Sequence, residues 1–283
     1  MASVLLGHQD CRLYMSFVLV RGGGDLASGV ALRLRQSGLP VIITELPMPL
    51  AVRRRVSFAT AIYMGHIQVE DCLACRVDEP IDDPIVGEMV AEGIIPVLVD
   101  PTCVSLEIFQ PKVVIDARML KKKLTRRYGP IELLIGLGPG FEAGENCDAV
   151  VETNRGDTMG RVFWEGAAEP NTSIPENING HAEARVLRAP VDGLVEPQAD
   201  IGDLLLAGQT VAQVGNTFVL APFNGILRGL IHRGVTVQGG MRIGDLDPRI
   251  EPSLCAHVSD KSLAVAEGVL EAIRSKFDLA ELR

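Results

Sequence analysis

The apolar and polar positions along the chain fall into two regimes. From position 17 onward, short apolar runs recur, each closed by a turn or an acid. The first, Phe-Val-Leu-Val-Arg at 17–21, ends in Gly22-Gly23-Gly24, and 26–36 then places Val30, Leu32 and Leu34 in a helix-compatible segment. That order predicts strand, turn and helix. Gly38-Leu39-Pro40 breaks the helix, and the run 41–44 predicts a second buried strand that ends at Glu45. Further runs at 96–99, 113–115 and 133–137 end at Asp100, at Asp116 and in Gly138-Pro139-Gly140, and they alternate with candidate helices such as 84–91. Alternation of this kind predicts an α/β fold with a Rossmann-like, mostly parallel sheet over 16–150, covered on both faces. Right-handed crossovers then gather the strand ends along one edge.

The second regime begins after about position 150. Helical spacing gives way to short alternating runs between Gly, Pro and Asn, with Pro170-Asn171-Thr172-Ser173-Ile174-Pro175 as an exposed connection inside a connecting β segment, 151–184. From 185 to 250 the chain aligns with itself at an offset of 32 residues. Ala189-Pro190 matches Ala221-Pro222, and Gly193, Gly202 and Gly208 match Gly225, Gly234 and Gly240. Two copies of one hairpin-rich unit, neither able to bury its apolar face alone, predict a duplicated β barrel-sandwich. Residues 251–283 complete the chain as a helical segment.

Composition narrows the function classes. A chain of 283 residues accommodates two domains, and no stretch approaches the roughly 20 apolar residues of a membrane span. The formal net charge of -9 opposes a nucleic-acid partner. Two basic clusters stand out, Arg53-Arg54-Arg55 and the run Lys121-Lys122-Lys123 with Arg126-Arg127; the latter reads as a solvated face. Positions 1–15 lack a basic start and an apolar stretch, which predicts a cytoplasmic protein whose six cysteines are free thiols. Cys72 and Cys75 form a single C-x-x-C pair, too few ligands for a structural metal.

The candidate chemistry sits at the strand ends. Gly22-Gly23-Gly24-Asp25-Leu26-Ala27 satisfies G-x-G-x-x-A, in which glycines let a phosphate approach the N–H groups that open the next helix. Glu45, at the end of the following strand, stands where a ribose hydroxyl is bound in dinucleotide sites. Asp25 either caps the helix or faces the ligand. Gly138-Pro139-Gly140 makes a second glycine-rich turn on the same edge, and Arg53 and Arg54 supply guanidinium groups suited to an anion. The alternatives are a plain structural turn at each glycine cluster and a solvated arginine face. The five histidines are isolated, so no catalytic residue is assigned.

Two family resemblances follow from these residues. The 32-residue repeat is similar to the biotinyl and lipoyl carrier domains, but the joint Gln213-Val214-Gly215-Asn216-Thr217 has no lysine, and none occurs between Lys123 and Lys261. Neither biotin nor lipoate is therefore expected. Over nearly the whole chain, the stretches 21–29, 49–58, 136–144, 151–162 (Val-Glu-Thr-Asn-Arg-Gly-Asp-Thr-Met-Gly-Arg-Val), 243–249 and Ser259-Asp260-Lys261 resemble, in matching order, the selenium-dependent molybdenum hydroxylase accessory proteins of the YqeB type. The glycine-rich domain is similar, more distantly, to the XdhC-type maturation factors. The resemblance implies a maturation factor that handles molybdopterin cofactor, or a terminal sulfur or selenium ligand, for a molybdenum hydroxylase client. It also implies roles for Gly22 to Asp25, the arginines at 53–55, Gly138 to Gly140 and the segment 152–156, Arg155 included. Asp157 departs from the expected histidine. The other readings are an NAD(P)-dependent oxidoreductase, which Glu45 favours, and a non-catalytic scaffold that holds a client through its β domain. A homo-oligomer fits any of the three.

Overall fold

In the computed structural model, Val18, Leu19 and Val20 have no solvent exposure, because the strand that carries them lies in the middle of a sheet. The structure describes residues 16–78, 81, 83–124, 128–170 and 175–283. Positions 1–15, Arg126-Arg127 of the basic run and Asn171-Thr172-Ser173-Ile174 of the connection lie outside the described residues.

The elements of the first half are β1 (Val18–Arg21), α1 (Asp25–Gln36), β2 (Val41–Glu45), α2 (Ala61–Met64), β3 (His66–Val69), β4 (Cys72–Val77), α3 (Asp83–Ala91), β5 (Ile95–Val99), α4 (Ser105–Phe109), β6 (Val113–Asp116) and β7 (Leu133–Leu137). They are followed by β8 (Glu142–Ala143), β9 (Ala149–Val151), β10 (Val162–Phe163) and β11 (Gly166–Ala167). Nine of these strands form one sheet in the order β10-β9-β7-β6-β1-β2-β5-β4-β3. All of its pairings are parallel except β3 with β4 and β10 with β9, at the two edges. The mostly parallel α/β sheet read from the sequence is present, and it runs on into the segment read as a connection. The β3–β4 hairpin is an addition that the apolar pattern did not predict.

Alternation along the strands divides the core between the two faces. Val18, Val20, Ile43 and Ile115 pack against α1, while Leu19, Ile42, Val114 and Leu134 pack with Val86 and with Leu106 and Phe109 of α3 and α4. The chain then builds β12 (Val186–Arg188), β13 (Gly193–Pro197), β14 (Leu204–Leu205), β15 (Thr210–Val214), β16 (Thr217–Leu220), β17 (Gly225–Leu230), β18 (Thr236–Val237) and β19 (Arg242–Asp247). These make two small antiparallel sheets, β12-β19-β17-β14 and β16-β15-β13-β18, which share one apolar core. The 32-residue offset carries each strand of one sheet onto a strand of the other. β12 goes to β16, β13 to β17, β14 to β18 and β15 to β19, so the duplication seen in the sequence is also a duplication of pairing.

Two helices close the chain, α5 (Ser253–Ala256) and α6 (Asp260–Arg274). The last helix returns to the α/β sheet and lies along α1, burying Val265, Ala266, Val269, Leu270 and Ile273 in the same core as Val18 and Val20. Small residues set this approach. A Cβ added to Gly29 of α1 would lie 2.7 Å from Ser262 Cβ, and one on Gly268 would lie 2.0 Å from the Gly160 carbonyl oxygen. Ser259 starts the helix as its N-cap, accepting a hydrogen bond from Ser262 N.

Candidate functional site

The order of strands fixes where a cleft opens. From β1 the chain first lays β2 on one side and later β6 on the other, so the connections after β1 and β6 diverge and leave a crevice at their carboxyl ends. A cleft of about 510 Å³ lies there. Arg21, Gly22 and Gly24 line it at the end of β1, Thr44 and Glu45 at the end of β2, and Ala117, Arg118 and Met119 after β6. Asp100 follows β5, Leu50 to Arg53 form one wall, and Arg242 reaches in from β19.

The three glycines of the first turn do different work. Gly22 has a φ of +96°, a conformation costly for any residue with a Cβ. Gly23 is pressed on Ala59, whose N would lie 2.9 Å from an added Cβ. Gly24 has an ordinary φ of -66°, and a Cβ there would meet nothing within 4 Å. Only Gly24 faces open space where a ligand can come close to the backbone. The helix behind it first bonds through Ser28 N to the Gly24 carbonyl, so the preceding N–H groups of α1 lack helical acceptors.

Glu45 has a part in the fold itself. Its Oε2 accepts from Gly23 N at 2.7 Å and its Oε1 from Leu46 N at 2.7 Å, so it ties the glycine turn to the end of β2. One N–H that the sequence reserved for a phosphate is thus held by a carboxylate of the same chain. Burial pushes the Glu45 carboxyl above its ordinary value, opposed by these two backbone bonds. Asp25 is not the helix cap, a position Gly24 fills without a side-chain bond; Asp25 instead faces Arg53 Nη1 at 3.4 Å.

The neighbouring arginines separate. Arg53 is 7% exposed, and its Nη2 donates to the carbonyls of Leu254 and His257, both at 3.1 Å, which anchors the segment before α6 beside the cleft. Arg54 turns away because the 3-10 turn Arg54–Val56 rotates it toward β17, where its Nε donates to the Leu230 carbonyl at 2.5 Å. It lines a different hollow, with Asp200, Asp203 and His232. Arg155 sits in a third hollow, held bidentately by Asp260 at 2.7 and 2.8 Å and by Glu176.

Gly138, Pro139 and Gly140 do not line the cleft among the described residues. They follow β7, one strand beyond β6, and the residues after β6 stand between. A Cβ on Gly140 would lie 2.6 Å from Leu120, and one on Gly138 would lie 3.3 Å from Met119. Leu26 is 8% exposed and belongs to the buried face of α1.

Several cleft residues carry no motif. Asp116, fully buried at the end of β6, accepts a fork from Arg118 at 2.7 and 2.9 Å and the hydroxyl of Tyr128 at 2.5 Å. Tyr128 also receives a hydrogen bond from Arg21. Burial and Asp116 raise the Tyr128 hydroxyl well above its usual value, which keeps it a donor. An acid closing a predicted strand, with an arginine two residues on, was the available signal for Asp116 and Arg118. Arg242 had none, since only the tertiary fold brings the β-rich unit to the cleft.

The cysteine pair has a different setting. On β4, positions three apart point to opposite faces, and burial with the neighbouring Asp71 raises the Cys72 thiol to about 11. A thiol so shifted is protonated at neutral pH and slow as a nucleophile.

No family model matches the chain. It is 42% identical over 267 residues to the uncharacterized protein YqeB of Escherichia coli (strain K12), an alignment that takes in 94% of this chain and 48% of that protein. This supports the YqeB-type resemblance, and the chain spans about half the length of that curated relative. Among solved structures, an aspartoacylase family protein of Mesorhizobium loti superposes with a TM-score of 0.26 at 9% identity, over 82% of this chain and 84% of the other. The ectoine utilization protein EutE (DoeB) of Ruegeria pomeroyi does so with a TM-score of 0.23 at 9% identity, over 81% and 56%.

Proposed function

We propose that the chain is an accessory protein of the YqeB type that binds a phosphate-bearing cofactor, molybdopterin or a nucleotide, in the cleft at Gly24 and serves the maturation of a molybdenum hydroxylase. The observation that carries this reading is the position of Gly24. It opens onto space at the switch point of a parallel sheet, ahead of the orphan N–H groups of α1 and beside Arg21, Arg53, Arg118 and Arg242. Backbone donors, the helix dipole and guanidinium groups all favour an anion there. In this reading the two interchanged sheets are a barrel-sandwich of the biotinyl and lipoyl type without its attachment lysine. The exposed Leu204, Leu206, Phe218 and Leu220 support a role for that unit in docking the client.

Glu45 favours a second reading, an NAD(P)-dependent oxidoreductase. Its carboxylate lines the cleft at the end of β2, where each oxygen retains a lone pair for a ribose hydroxyl. Mass spectrometry of small molecules released from anaerobically purified protein separates the readings. A phosphorylated pterin supports the first and a nicotinamide dinucleotide the second, and in either case Gly24→Val is expected to lose the ligand. An unchanged ligand content in Gly24→Val would overturn the site.

A further inference from the structure

The helix that closes the chain runs parallel to the helix that opens at the cleft. Gly29 of α1 packs on Ser262 of α6, and Arg33, four residues on, pairs with Glu267, five residues on. The two axes advance together, so α6 begins at the end of the molecule where Gly24 and Asp25 line the cleft. Two of the family-like stretches, 151–162 and Ser259-Asp260-Lys261, meet at this start. Glu152, fully buried, accepts from Thr153 N and Glu169 N at 2.7 Å and from Asn154 N at 2.6 Å, which shapes the loop after β9. That loop then grips α6. Arg155 holds Asp260 bidentately, and a Cβ on Gly160 would lie 2.4 Å from the Ala264 carbonyl oxygen.

Ser259 and Asp260 are thus spent on placing the helix, one as N-cap and one as the partner of Arg155. Lys261 is not. It is half-buried, and its amine makes no hydrogen bond or ion pair among the described residues. Its backbone lies beside the second turn of α1, and side chains on a helix lean toward the N-terminus, so it reaches back toward the first turn, where Asp25 stands. The charges that act on the amine are of both signs, Asp25 and Glu152 favouring its ionised form and Arg155 and Arg242 opposing it. Asp25 and Arg242 are residues of the cleft itself. Burial, the largest influence, lowers the amine from its ordinary value. Neither nearby carboxylate depends on it: Glu152 is taken up by backbone N–H groups, and Asp25 faces Arg53 at 3.4 Å.

We infer that Lys261 is a ligand-binding residue of the cleft at Gly24, its amine swinging onto the oxygens of a phosphate seated at the start of α1. This rests on the cleft reading and deepens it, because the site is then assembled from three distant parts of the chain: the glycine turn, Arg242 of β19 and the first turn of α6. Lys261 does not line the empty cleft, but lysine carries a compact charge on a flexible four-carbon stem, suited to meeting a phosphate that arrives. The positive end of the α6 dipole adds to the same field. A lysine that served only to balance Asp25 would leave ligand affinity alone.

The test follows the amine in the wild-type full chain, with inorganic pyrophosphate as the probe. Brief acylation with N-hydroxysuccinimidyl acetate, read by peptide mass spectrometry, is expected to slow about threefold or more at Lys261 when pyrophosphate is added, and to stay unchanged at Lys276, beyond the other end of α6. By calorimetry, pyrophosphate is expected to bind about tenfold more weakly to Lys261→Met and close to normally to Lys261→Arg, which keeps the charge. The acylation experiment needs no variant and decides the matter if Lys261→Met does not fold. Acylation of Lys261 indifferent to bound pyrophosphate, or wild-type affinity in Lys261→Met, overturns the inference and leaves the cleft reading in place if Gly24→Val loses the probe. No pyrophosphate binding by the wild type, or undiminished binding by Gly24→Val, overturns the cleft reading and the inference with it.

Discussion

The turns at Gly22 to Gly24 and Gly138 to Gly140 follow parallel strands of one sheet, on the same edge, and look interchangeable as strings of letters. In the fold they differ in what lies above them. The first leaves Gly24 facing a cleft, whereas the second is covered by Met119 and Leu120 and backed by Phe141, fitted against Gly136. Each turn holds one glycine at positive φ, Gly22 and Gly138, but a Cβ at Gly24 would enter open space whereas one at Gly140 would meet Leu120. Spacing reports that glycine is needed; only the surroundings report why.

The contrast is sharpest when the same substitution is made at Gly24 and at Gly136, the β7 glycine that leads into the second turn. Gly136→Val places its Cβ 2.1 Å from Phe141 Cγ, inside the ring of a residue 1% exposed. It is expected to cost about 3 kcal/mol or more, a fall in Tm on the order of 10 °C by calorimetry. Glu45→Ala comes next, at about 2 kcal/mol, because the Gly23 and Leu46 N–H groups lose a charged acceptor. Its effect on ligand divides the two readings. A dinucleotide loses its ribose contact and binds less tightly, while a pterin phosphate keeps its affinity or gains from the freed Gly23 N–H. The same variant has a pH signature. Because the folded chain holds the Glu45 proton more tightly than the unfolded chain, the stability this group contributes is full below the ordinary glutamate value and is lost as pH rises through the folded one. Urea melts across that range should show a shallower decline for Glu45→Ala. The smallest expected effect is Gly24→Val, about 1 kcal/mol for a poorer N-cap residue, despite loss of the ligand. A large drop in Tm for Gly24→Val, or a small one for Gly136→Val, would erase the distinction between the turns.

Local signals carried much of this fold. Apolar runs bounded by turns located β1, β2, β5, β6 and β7, and the 32-residue offset anticipated two sheets built from one repeated plan. The β3–β4 hairpin escaped because β3 mixes exposed and buried positions, and the short apolar run from Cys72 to Cys75 on β4 was read as a cysteine pair. At the site, the glycine turn and Arg53 were legible, whereas the partners that define them were not. Arg53 is anchored by carbonyls about 200 residues away, which carry no side-chain signature. Arg54 differs from Arg53 only by one step along a 3-10 turn, and that step sends it to another surface. Glu45 was placed correctly at the strand end, but its bond to Gly23 depends on the register of β1 and β2.

The return of α6 to α1 has a consequence for synthesis. The core around Val18 and Val20 is completed by Val265, Val269 and Ile273, so β1 is sealed only by a helix made long after it. Emerging vectorially from the ribosome, the nascent α/β layer has one wall missing until the whole β-rich unit has been threaded through. That unit closes its own core from nearby hairpins and can fold first. Its condensation also draws the ends of a long loop together, which lowers the entropy to be surrendered when α6 docks. A module made after the α/β strands can thus be ordered before the layer those strands belong to is closed.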